Sequence, residues 1–126
     1  MANISTYAEN LLLTVMLKGG STGLPTAWGV GLCSPAPTSV AANELASFTR
    51  GSATFSTKAG TASLMTNVAA IVISHSAAAA QTASGIAIFD ATVAGNYLAF
   101  QTFNGVALAS RSGASIASGA LSITLT

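Results

Sequence analysis

The chain has 126 residues, of which only 6% are charged, with four Lys or Arg against three Asp or Glu and a net charge of +1. Ordinary globular chains carry about 25% charged residues, and four scattered cations cannot follow a phosphate backbone, which excludes nucleic-acid binding. Thirty-one Leu, Ile, Val and Phe residues without a charge excess are the reverse of a disordered composition, and the length predicts one domain, residues 1–126.

Ala, Ser and Thr fill 57 positions. Either hydroxyls solvate the outside or other subunits cover part of it, and composition leaves both open. Residues 1–17 lack the cationic start of a signal peptide and carry Glu9 ahead of their apolar run. The longest unbroken apolar run, 68–73, is far short of the roughly 20 residues that a membrane span needs. Cys33 stands alone, so no intrachain disulfide can form, and Asn3-Ile4-Ser5 matches a glycosylation sequon with no secretory signal beside it. The expectation is a soluble chain, made in the host cytoplasm, without membrane contact.

The first element is a helix over 6–18, inside an N-terminal helical segment, 1–20. Thr6 and Glu9 have capping-box spacing, Ala8, Leu11, Leu12, Val15 and Met16 recur at helical intervals, and Gly19-Gly20 ends the pattern. Tyr7, Leu13 and Leu17 widen the apolar face almost all round. A helix this apolar must be covered. Tyr7, Leu11, Leu12, Val15 and Met16 are therefore expected to meet the core or another subunit.

Residues 21–126 read as strands. Trp28, Val30 and Leu32 alternate with Gly29, Gly31 and Cys33, so one face is bulky and the other bare, and another backbone should pack against the bare one. Pro35 and Pro37 stop the strand, and 38–46, with Asn43 and Glu44, reads as a loop. Further strands are predicted at 47–55, 67–74, 85–89, 97–103, 115–117 and 121–125. The 68–73 run reads as a central strand apolar on both faces. In the last strand Leu121, Ile123 and Leu125 alternate with Ser122, Thr124 and Thr126, the pattern of a half-buried antiparallel strand. Gly95-Asn96 marks a turn, and the alanines of 77–80 read as a connection. Short strands with Gly, Ser and Asn punctuation predict a mainly β fold, an antiparallel sandwich of jelly-roll-like or Ig-like type with one short N-terminal helix. No repeat of 20–50 residues is visible, which argues against a fibre shaft.

Signals for chemistry are absent. Gly19-Gly20-Ser21-Thr22-Gly23 satisfies the G-x-S-x-G pattern, but a nucleophile elbow needs a strand before the serine and a helix after it, and here the order is reversed. His75 is the lone histidine and sits where a strand runs out. One His, one Cys and three acids offer no ligand spacing for a metal, and Gly29-Val30-Gly31 lacks the third glycine of a dinucleotide loop. No catalytic residue, metal, cofactor or small-molecule substrate is expected. Arg50 and Asp90 each adjoin an apolar strand, where an unpaired charge is costly. Either each ends its strand in water or the two form a structural ion pair.

Several segments together resemble a known family. Asn10-Leu11-Leu12 in the opening helix is followed by Trp28-Gly29-Val30-Gly31-Leu32-Cys33-Ser34-Pro35-Ala36-Pro37. Gly85-Ile86-Ala87-Ile88-Phe89-Asp90-Ala91, Gly95-Asn96-Tyr97-Leu98 and Gly119-Ala120-Leu121-Ser122-Ile123-Thr124-Leu125 come later. In that order they resemble small tailed-phage virion proteins, often labelled tail-fibre proteins and also similar to capsid decoration or cement proteins. The chain departs from that pattern in having Phe48-Thr49-Arg50 for a Tyr-Ala-Arg-like segment, and Thr82, Ala83 and Ser84 where a tryptophan is common. The resemblance implies a structural role in the virion and no enzymatic residues. The expected partners are the phage major capsid protein, copies of the chain itself, or alternatively tail proteins. Of these settings the head surface is favoured, with the chain as a decoration protein tying capsid subunits together; a tail or fibre component is the alternative.

Overall fold

The computed structural model describes residues 3–18, 25, 27–56 and 64–124. Among these residues the elements run β1 (Asn3–Ile4), α1 (Thr6–Lys18), β2 (Trp28–Cys33), β3 (Phe48–Thr49), β4 (Gly51–Ala53) and β5 (Leu64–Thr66). They continue with β6 (Ile71–His75), β7 (Gln81–Phe89), β8 (Tyr97–Leu108), β9 (Ala114–Ile116) and β10 (Ser122–Thr124). The fold is mainly β with one short helix, as expected. The strands form a five-stranded sheet of order β1-β8-β7-β2-β4, a three-stranded sheet β3-β6-β9 and the pair β10-β5. Every pairing is antiparallel.

The two larger sheets face each other in a sandwich-like arrangement. Val30, Leu32, Ile88 and Ala99 from the first meet Phe48, Ile71 and Ile73 from the second in one buried cluster. Burial of such side chains contributes about 25 cal/mol per Å² and is the main favourable term here. The segment expected as one strand over 47–55 is split, because it changes sheets. Phe48 and Thr49 pair with His75 and Ser74, whereas Gly51, Ser52 and Ala53 pair with Val30, Gly29 and Trp28. The corner between the two is Arg50, in the manner of strands that turn from one packed sheet into another.

The strand expected over 67–74 is also corrected. Val68 is exposed, and β6 begins only at Ile71, with Ile71, Ile73 and His75 buried and Val72 exposed. β6 is central in its sheet, yet one of its faces meets solvent, so β-branched residues here serve strand propensity rather than two-sided burial. Asn67 ends the run for a specific reason. It is fully buried; its side-chain amide donates to Ala69 O and Ala117 O at 2.8 Å, and its Oδ1 accepts from Leu121 N at 2.9 Å. All of its side-chain hydrogen-bonding groups are used within the fold, which binds the 117–121 turn to the start of β6.

β7 and β8 run longer than expected. Gln81, Thr82 and Ala83 pair with Leu108, Ala107 and Val106, and the register shifts between Ala83 and Gly85, where 103–105 bulge opposite Ser84. That bulge breaks the alternation from which strand length is read. The alanines of 77–80 lie in the connection between β6 and β7.

The bare face of β2 is covered as predicted. A methyl group at Gly29 would sit 2.4 Å from Ala91 O and 2.9 Å from Thr92 Cα, both backbone atoms. Gly29→Ala is expected to destabilise the fold by about 1–3 kcal/mol, the range for overpacking, read as a lower denaturant midpoint at unchanged slope.

Candidate assembly surface

α1 spans the residues read from the sequence, but its cap is Ser5 and not Thr6. The Ser5 hydroxyl accepts from Ala8 N at 3.2 Å and donates to Tyr97 O, while Glu9 N bonds to Ser5 O at 3.0 Å. Ser5 is buried and Thr6 exposed. The residue facing β8 can thus satisfy both the helix terminus and the sheet. Of the five expected contact residues, Leu11 and Val15 are half-buried, while Tyr7, Leu12 and Met16 are exposed. Leu13 and Leu17 are exposed with them. An apolar groove of about 390 Å³ opens between α1 and the β5–β10 pair. Ile4, Leu12, Trp28, Phe55, Met65 and Ile123 are among its walls, and no charged side chain lines it among the described residues. Trp28 and Phe55 stand edge to face, their ring centroids 6.1 Å apart.

Arg50 organises the opposite end. Its Nε and one terminal nitrogen donate to the two oxygens of Glu44 at 2.6 and 2.7 Å. The other terminal nitrogen donates to Ala91 O, at 3.0 Å, and to Ala94 O. The guanidinium carbon lies 3.3 Å from the centre of the Phe89 ring. The expected pairing with Asp90 is therefore corrected: the acid that meets Arg50 is Glu44. Asp90 closes its own loop, accepting from Asn96 Nδ2 at 2.8 Å and from Asn96 N, with Gly95 at a φ of +78° allowing the turn. Glu44 was hidden in an expected loop. It reaches Arg50 because 43–45 line the free edge of β2, with Leu45 N donating to Leu32 O and Ser34 N to Asn43 O.

Cys33 is fully buried between these groups. Burial first, and the Glu44 carboxylate second, push its thiol up to about 12, against a smaller opposing pull from Arg50. Burial likewise raises the Tyr97 phenol, whose hydroxyl donates to Thr38 O at 2.9 Å. His75 ends β6, stacked on Phe48 at 4.1 Å between centroids, with Nδ1 3.2 Å from Ala109 O. A carbonyl only accepts, so Nδ1 carries the proton of the neutral ring. Nε2 is buried and meets no partner among the described residues. Ser21, of the G-x-S-x-G match, lies outside the described residues. Among those described, no three His, Cys, Asp or Glu side chains come together as a metal would require.

A sequence-family model described as podophage GP4 fiber I protein gp80 matches residues 3–124. The chain belongs to this family. It is thus a small structural protein of a tailed-phage virion, of a fibre family, as the sequence segments implied. No curated protein matches it. In this fibre-family chain the residues that carried the resemblance hold the frame together. Trp28 to Cys33 form β2, Phe89 lies under Arg50, and Asp90 and Asn96 close the loop that Arg50 grips.

Arg50→Lys is expected to destabilise by about 2–3 kcal/mol, because an ammonium cannot reproduce the planar fork. Arg50→Ala should cost about 3–5 kcal/mol by stranding the Glu44 carboxylate. Both are read by denaturant titration. Cys33 should resist thiol reagents until the chain unfolds. Its ordinary value is 9.0 and its folded value about 12, so above pH 9 the unfolded chain releases the proton first. Stability should fall as pH rises from about 9 towards 12, and Cys33→Ala should flatten that slope.

Proposed function

We propose that the chain is a subunit of the virion's tail fibre, assembling through uncharged surface with copies of itself and neighbouring tail proteins. The observation that carries this reading is the match to a fibre family over nearly the whole chain. The surface is consistent with such a role. α1 leaves Leu12, Leu13, Met16 and Leu17 exposed beside an apolar groove, and large exposed apolar patches mark sites of association. Contacts of this kind are modest singly and strong when repeated by symmetry, since each further engagement is intramolecular.

The second reading is a decoration protein on the head, tying capsid subunits together. What favours it is the absence of heptads or a shaft repeat in the sequence, since long fibres are usually built from such repeats. Immunogold labelling of intact particles with antibody to the chain separates the two. Label confined to the tail at few sites is the expected result. Label spread over the head would overturn the fibre reading in favour of decoration.

A further inference from the structure

We propose that the groove between α1 and the β5–β10 pair is the seat for α1 of another copy of this chain. The proposal deepens the fibre-subunit reading and rests on it for its setting. Leu12 belongs to the groove wall, and Met16 lies one helical turn further on, so the two are neighbours on the helix surface. From Met16 the apolar band continues round the helix to Leu13 and Leu17. Met16 is 71% exposed and Leu17 80%. One subunit therefore carries a ridge and a groove side by side, both apolar and both open.

The chemistry of the groove narrows its occupant. With no charged side chain among the described lining residues, it would leave a charged peptide or an anionic ligand without a partner. An apolar helix can fill it without that cost, and the chain supplies one. Copies of a chain with a net charge of +1 also repel one another little.

The area is adequate too. One side of this 13-residue helix, about 20 Å long and roughly 11 Å across, presents on the order of 300 Å². Filling the groove removes a comparable area from its walls. Each copy that uses both surfaces then buries on the order of 600 Å², close to the ~800 Å² per partner of stable interfaces. Any closed assembly, whether a reciprocal pair or a ring, engages both surfaces of every member.

The test uses the full chain and two surface variants, Met16→Glu/Leu17→Glu on the ridge and Met65→Glu in the groove, each checked by circular dichroism for a native fold. Light scattering after gel filtration should show the wild type as an oligomer of the 12.4 kDa subunit. Each variant alone should self-associate at least about tenfold more weakly. Mixing the two should restore a complex containing both, since the ridge variant keeps its groove and the groove variant its ridge. A monomeric wild type, variants that associate like the wild type, or a mixture that forms no complex would each overturn the proposal. A monomeric chain that labels the tail would sink this contact and leave the fibre reading standing; an oligomer found on the head would do the opposite.

Discussion

Arg50 stands where the chain leaves one sheet for the other, and its guanidinium does there what no backbone pairing could. Paired in two prongs with Glu44, it fixes the segment that lines the outer edge of β2. Two carbonyls of the 90–96 loop point back at the same group, and the Phe89 ring forms its floor. A cation 90% withdrawn from water is tolerable only because its donors are engaged and its flat face is stacked. The bare glycine face of β2 belongs to the same construction. At Gly31 a methyl group would lie 2.5 Å from the Glu44 carboxylate, so the missing side chain is the space the ion pair occupies.

Much of this frame could be read from the residues alone. The helix, the bulky and bare faces of β2, the last strand and the turn at Gly95 all followed from local rules of period and punctuation. What escaped those rules is instructive. The Arg50–Glu44 pair depends on two segments that meet only in the folded chain, and Glu44 gave no sign beyond being one of three acids. Asn67 reads as an ordinary strand residue until the 117–121 turn is seen folded against it. The bulge in β8 inserts residues that a strict alternation cannot accommodate, so 104–108 were left outside the expected strand. The exposed ridge of α1 was legible as an apolar helix, but the groove beside it draws walls from β2, β5, β7, β8 and β10. No reading of neighbouring residues could assemble it.

The shortage of charge takes on a different meaning once the strands are placed. Hydroxyl-bearing residues such as Ser52, Ser74 and Ser122 occupy exposed strand positions, so part of the outside is wetted without ions. The two charges best placed to solvate the surface near the sandwich corner, Arg50 and Glu44, are turned inward on each other. α1 has no hydroxyl among Leu12, Leu13, Met16 and Leu17, and there the composition favours contact with protein over contact with water.

The way α1 is tied down has a mechanical side. Asn3 and Ile4 pair with Phe100 and Ala99 on β8, and Ser5 and Thr6 add bonds to Leu98 and Ser39 immediately before the first helical turn. Antiparallel ladder bonds lie across the strand direction. A tug on the helix along the line of β1 therefore strains them together in shear and does not peel them one after another. Tension passed through α1 enters β8, the longest strand of the fold, and spreads from there into the five-stranded sheet. A particle component held by its helix would carry load through its widest layer.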